Sequence, residues 1–272
     1  MVASYPLAEA KGEVRSCIDV WKGIFERHFG DVIEYAYAKG SCVKDWESPI
    51  DYVPVLSDVD IHVKLWEGRS LFEGIEQPFK LGLDVSAEYE EEFLRIDPEP
   101  LHVPRTQIVI LNPHFFEPDF FLPSHIPAED VMIGEPKPGP PQPAERVRAS
   151  DLKALMTLEE DLRRLPVSIL DRSGIDLVVL IRRLNWLISP TPIRLLSQVQ
   201  DPEEAWHLNR TRACEMLRKQ GFQDVAEEYE ECYLTGWEAF RTDFRDDPIL
   251  RRLLSRAYSV LERVHAHAVV LE

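Results

Sequence analysis

The residues best suited to chemistry stand in two short stretches, Tyr37-Ala38-Lys39-Gly40-Ser41 and Ser57-Asp58-Val59-Asp60-Ile61-His62-Val63. A β-strand turns successive side chains to opposite faces. Over Asp58 to Leu65 that alternation puts Val59, Ile61, Val63 and Leu65 on one face and Asp58, Asp60, His62 and Lys64 on the other. Two carboxylates side by side on one face repel each other and are costly to gather without a cation. A hard divalent ion such as magnesium or manganese takes oxygen ligands in this arrangement and completes its shell with substrate phosphates. Asp58 and Asp60 are therefore the candidate metal ligands. His62 shares their face as a ligand or proton carrier, or as a hydrogen-bonded or exposed histidine.

Just upstream, the β-rich run Val32-Ile33-Glu34-Tyr35-Ala36-Tyr37 leads into Gly40-Ser41. Glycine lets a chain turn sharply and approach a ligand closely. Backbone N–H groups exposed at such a turn, or at a helix start behind it, form an anion site. Gly40 and Ser41 are the candidate phosphate cradle, and Lys39 and Lys44 flank it with positive charge. A phosphate cradle beside metal-binding carboxylates is the equipment of nucleotide chemistry.

The order strand, Gly-Ser, loop, strand with Asp-x-Asp resembles the nucleotidyltransferase superfamily of the DNA polymerase beta type. Gly40, Ser41, Asp58 and Asp60 match its motif, with Ser57 just ahead of the acids, and the resemblance covers about the first half of the chain. It implies magnesium-dependent transfer of a nucleoside monophosphate from a nucleoside triphosphate. Gly40, Ser41, Lys44, Ser57 and Arg105 would meet the nucleotide, and Asp58 and Asp60 the metal. The chain departs from the pattern twice. The connection from Ser41 to Asp58 is long and carries Pro49 and Pro54, as an inserted turn would. The family also places a third carboxylate on a later strand. The matching strand here, Thr106 to Leu111, offers Gln107, beside the attacking hydroxyl. Asp84 supplies the acid if Leu83-Asp84-Val85 is a strand, or caps a helix if it is not. Glu117 and Asp119 are further acids in a proline-bearing loop. Arg105, Gln107 and Val109 share a face, so Arg105 either offsets a triphosphate or pairs with a nearby acid.

The elements that must position these residues are legible along the chain. Val14, Cys17, Ile18, Trp21, Ile24, Phe25 and Phe29 recur at helical spacing before Gly30, which predicts a helix backing the sheet. A helical pattern runs from Arg69 to about Ile96, followed by a strand over Val103–Leu111. Asn112 to Pro127, rich in Phe and Pro, reads as a loop pinned by its aromatics. Gly134 to Pro143 is dense in proline and reads as a semi-rigid spacer. From Ser150 onward the spacing is helical almost throughout. Ile175–Ile188 is apolar on most sides, as a central helix would be. Asp201-Pro202 starts a helix that Gly221 closes, Gln223–Arg241 forms another, and Asp247-Pro248 opens the last. The expected fold class is α+β: a small mixed-sheet domain over residues 1–133, nucleotidyltransferase-like as the resemblance implies, a Pro-rich linker over 134–149 and an all-α bundle over 150–272.

Composition narrows the partners. The chain has 272 residues and a net charge of −17, which argues against nucleic acid and against anionic membrane surfaces. A small acceptor, cationic if the acidic surface steers it, fits better. Cys17, Cys42, Cys214 and Cys232 have no metal-type spacing and suit a reducing compartment. Cys42, beside Ser41, reads as a packed thiol. Met1 to Ala10 has no basic start or apolar core, and the most apolar run contains Arg182 and Arg183, so the chain is expected to be cytoplasmic. Two functions follow. One is a metal-dependent nucleotidyltransferase acting on a small molecule or a protein side chain. The other is a nucleotide-binding or interaction module that kept the fold without the third acid, acting through its helical half, for example as a homodimer.

Overall fold

A computed structural model describes residues 5–117 and 119–272. The first four residues, where part of the expectation about a leader falls, lie outside the described residues. The protein is mixed α/β with helix predominating. It divides into two compact units, one made of the chain up to Lys44 with Ser57–Pro141, the other of Asp45–Leu56 with Gln142–Glu272.

The first unit opens with α1 (Leu7–Phe29), which buries Val14, Cys17, Trp21, Ile24, Phe25 and Phe29 of the predicted stripe and leaves Ile18 half-buried. It ends where expected, although Gly30 stays right-handed (φ −54°). The strands are β1 (Ile33–Lys39), β2 (Val59–Leu65), β3 (Thr106–Ile110) and β4 (Val131–Ile133), in the order β3-β2-β1-β4. β1 is antiparallel to β2 and to β4, while β2 and β3 are parallel. Parallel neighbours need a crossover, and α2 (Pro78–Ile96) lies in that connection. The predicted helical stretch begins later than expected, at Pro78, because residues 69–77 form turns. Trp21 of α1 stacks on Tyr89 of α2 with centroids 5.2 Å apart. The apolar face of β2 is the core: Val59, Ile61 and Val63 are fully buried and Leu65 nearly so. Gly134 closes β4 at φ +65°, and a Cβ there would stand 2.2 Å from the Glu34 carbonyl, so no other residue fits.

The second unit is helical from α3 (Ala144–Met156) through α4 (Leu158–Ile169), α5 (Ile175–Ile188), α6 (Thr191–Val199), α7 (Pro202–His207), α8 (Arg210–Lys219), α9 (Gln223–Arg241) and α10 (Asp247–Leu271). Two expectations are corrected. The helix begun at Pro202 does not run to Gly221. It stops at His207, and the Asn209 side chain accepts the Arg212 N–H (2.8 Å) to start a new helix. α5 is not enclosed on most sides either. Leu177, Ile181 and Leu184 are buried, but Ile175, Val179 and Trp186 are exposed. Among the described residues no helix is long and apolar enough to cross a membrane.

Candidate functional site

Each strand of the first unit brings one part of the site to the same sheet edge. Asp58 immediately precedes β2 and Asp60 lies within it. β1, running the other way, delivers Lys39 opposite Asp60. The chain then turns through a short 3-10 helix, Gly40–Cys42. Gly40 adopts φ +83°, and a Cβ at that position would lie 2.7 Å from Asp60 Oδ2. The turn and the second acid are therefore in near contact, and only a glycine allows it. On the other flank β3 aligns Gln107 with Asp60 in parallel register. Residues paired across a ladder point to one face, so Lys39, Asp60 and Gln107 form a row.

Asp58 is buried, 8% exposed, and Arg105 at the head of β3 donates from Nη2 to its Oδ1. Of the two roles weighed for Arg105, the pairing with a nearby acid is the one the structure contains. Ser57 is buried directly ahead of Asp58, and Lys44 is half-buried beyond the Gly40–Cys42 turn. Burial pulls the Lys39 ammonium below its ordinary range, while the charge of Asp60 and then Cys42 oppose that. The Cys42 thiol is raised far out of the reactive range by burial and donates to the Lys39 carbonyl at 2.9 Å, a packed thiol.

Further along the same face, the site is closed. His62 is 4% exposed, its Nδ1 is 3.0 Å from Tyr37 Oη, and Phe120 covers it at 6.3 Å between rings. Burial, then the charges of Lys39 and His114, pull its pKa down to about 3. It is a neutral interior histidine rather than a proton carrier near neutral pH. The 112–127 segment is indeed held by aromatics. His114 stacks on Phe120, and Phe120, Leu122 and Ile126 pack against Tyr35, Tyr37 and Leu111.

The other acids considered for the third position lie elsewhere. Asp84 is inside α2, neither in a strand nor at a cap, and pairs with Lys80 at the surface (2.6 Å). Glu117 pairs with His114 at 2.9 Å, also at the surface. Asp119 sits in a turn. One acid gave no sequence signal. Asp130, just before β4, is 8% exposed, and burial, with Glu129 adding and His125 offsetting, lifts its pKa to about 6. Its charge reaches Cys42, and its antiparallel neighbour strand is β1. Only the sheet order could have revealed it.

Among the described residues no group of three or more His, Cys, Asp or Glu side chains is placed to hold a metal ion. A magnesium ion commonly takes one or two protein carboxylates and completes its shell with water and phosphate. Asp58 and Asp60, with the amide of Gln107 in line, fit that donor set.

The long connection between the Gly-Ser turn and the acids is not a surface insertion. Residues 45–56 belong to the helical unit. Asp51 accepts the backbone N–H groups of Glu47 (2.8 Å), Ser48 (3.0 Å) and Thr211 (2.9 Å) and the Thr211 hydroxyl (2.7 Å). Buried Arg210 donates to the carbonyls of Ile50 (3.0 Å) and Asp51 (3.1 Å) and lies over the Tyr233 ring. Trp237 Nε1 donates to the Pro49 carbonyl (2.7 Å) and Asn185 to that of Leu56 (2.8 Å). Asn185, a polar residue within the apolar α5, is thus an internal clamp. His265 and His267 make no joint site: the first faces the Leu155 carbonyl and the second Asp224.

Comparison of the chain with protein-family models, with curated proteins and with solved structures finds no match.

Proposed function

We propose that this chain is a metal-dependent nucleotidyltransferase that moves a nucleoside monophosphate from a nucleoside triphosphate to a small acceptor. The observation that carries the reading is the near contact of the two motif halves, the Gly40 turn lying within 2.7 Å, from its would-be Cβ, of the Asp60 carboxylate. A turn able to grip phosphate and carboxylates able to hold a cation are of use together only if they meet. Asp58 and Asp60 also stand at the start of β2, the strand that follows the Gly40 turn, which is where the motif puts its acids.

In this reading the N–H groups at Gly40 and Ser41 bind the outer phosphates, and Lys39, Lys44 and Arg105 offset their charge. Magnesium held by Asp58 and Asp60 would neutralise charge building on the triphosphate during transfer. The acceptor hydroxyl oxygen bonds to the α-phosphorus, the bond from that phosphorus to the pyrophosphate breaks, and the hydroxyl proton passes to water. Gln107 can orient that hydroxyl through its amide oxygen but cannot take its proton. The surplus of acidic residues favours a cationic acceptor by steering.

One observation favours a second reading. The group aligned with Asp60 on the neighbouring strand is an amide, which suits a module that binds a nucleotide and does not turn it over. Incubation with a nucleoside triphosphate, magnesium and a panel of small cationic acceptors separates the two. Magnesium-dependent pyrophosphate release, lost in Asp58→Asn, supports transfer. Binding without release supports the module, and absence of binding overturns both.

A further inference from the structure

The acids of the site do not stand alone. Asp58 is paired with Arg105, and Asp60 has Lys39 opposite it in the ladder. Two carboxylates and two basic groups sum to no formal charge. A bare divalent cation approaching such a cluster finds its ligands already compensated, and taking them would strand two positive charges in a partly buried place. A magnesium–triphosphate complex is still an anion, so it brings the displaced basic groups a partner of their own.

The structure also says which of those groups can move. The backbone that presents Arg105 is fixed. Its carbonyl accepts the Val59 N–H at 2.9 Å, Tyr89 Oη donates to the Pro104 carbonyl, and buried Glu13 holds His102 Nδ1 at 2.6 Å and the Leu101 N–H. The side chain is another matter. The Arg105 side chain is 28% exposed where that of Asp58 is 7%, so the guanidinium sits on the solvent side of the carboxylate. Its Nε is buried and makes no hydrogen bond among the described residues. A rigid stem therefore carries a head with spare donor capacity, and a guanidinium fork suits phosphate at least as well as carboxylate.

We propose that Arg105 is the resident counter-cation of Asp58: it occupies the carboxylate until a triphosphate draws the guanidinium away, so that the divalent ion and the nucleotide enter together. This rests on the nucleotidyltransferase reading and adds an order of binding to it. No bond is made or broken in the exchange. One ion pair, Arg105 with Asp58, is replaced by two contacts, Arg105 with phosphate and Asp58 with the metal.

The test is a titration of the full chain with manganese, read by electron paramagnetic resonance, with and without a non-hydrolysable triphosphate. Wild type should bind manganese weakly alone and at least about tenfold more tightly with the triphosphate, the change expected when about one competing ion pair is removed. Arg105→Gln should bind manganese about tenfold more tightly than wild type without nucleotide, and bind the triphosphate less well. Arg105→Lys, which keeps the charge without the fork, should fall between and guards against a folding defect in the glutamine variant. Asp58→Asn in the Arg105→Gln background should abolish the gain. If Arg105→Gln leaves manganese affinity unchanged or weaker while the wild type still shows nucleotide-dependent uptake, the proposal is overturned and the nucleotidyltransferase reading stands. Tightening in Arg105→Gln with no effect of triphosphate on the wild type overturns the exchange and that reading together, as does a failure of every protein to bind manganese.

Discussion

Asp51 and Asp58 are seven residues apart, both buried, and held in opposite ways. Asp51 accepts three backbone N–H groups and a threonine hydroxyl. Donors of that kind cannot swing aside, so the carboxylate is spent on holding the 45–56 segment in its unit. Asp58 leans on a guanidinium from the next strand, a partner on a flexible stem. Immovable donors tie an acid to structure, and Arg105 gives Asp58 one contact that can be exchanged. Asp60 resembles Asp58, since the group facing it in the ladder is a lysine side chain. Burial alone does not separate the two kinds of aspartate. Asp51 is 2% exposed and Asp58 8%, and both would look like core from that number.

The sharpest way to break this comparison is to remove each acid in turn. Asp51→Ala orphans three part-buried backbone donors and should cost about 2–4 kcal/mol of stability, seen as a large fall in the urea midpoint. Asp58→Asn should cost about 1 kcal/mol or less in the same measurement, because the asparagine can still accept from Arg105. Its effect should appear instead as a loss of about 100-fold or more in magnesium-dependent pyrophosphate release. Equal stability losses in the two variants would erase the distinction. A smaller effect tests the contact between the motif halves. Gly40 and Gly221 both have strongly positive φ, +83° and +86°, but a Cβ at Gly221 meets nothing within 4 Å. Gly221→Ala should cost about 1 kcal/mol for the backbone alone. Gly40→Ala should cost about 1 kcal/mol more, and it should weaken manganese binding because Asp60 must shift.

How far these features could be read in the sequence follows from the range of the interactions behind them. The alternation of Val59, Ile61 and Val63 with Asp58, Asp60 and His62 is a local, period-two signal, and the fully buried apolar face bears it out. The bounds of α5 and α9 were legible for similar reasons: Pro190 follows α5, Gly221 precedes α9, and Asp176 and Asp224 stand in their first turns. Residues 45–56 were not legible as part of the helical unit. Their anchors, Arg210 and Thr211, lie about 160 positions away in the chain, and nothing in Pro49 or Pro54 points to them. Facing of Asp60 by Lys39 needs the hairpin register, and pairing of Asp58 with Arg105 needs β3 to lie parallel beside β2. The break at Asn209 was hidden because a capping side chain inside an otherwise helical pattern looks like any polar surface residue.

His62 sharpens the comparison at the covered end of the same strand face, where the effect at neutral pH is smallest. Its folded pKa, depressed to about 3 chiefly by burial, lies below the value near 6.5 of an unfolded histidine. Between these values the unfolded chain binds the proton and the folded chain does not, so stability rises with pH across that window. The contribution is fully present above about pH 6.5 and is lost as pH falls toward 3, at up to about 1.4 kcal/mol per pH unit. Carboxylates also titrate at the acid end, so the quantity to measure is the difference in unfolding free energy between wild type and His62→Gln from pH 7 to pH 4. The glutamine variant carries no proton-binding ring, and its loss of stability on acidification should be shallower by about one proton's worth. A difference that stays constant with pH would mean that His62 keeps its ordinary affinity for protons under the cover of Phe120 and Tyr37.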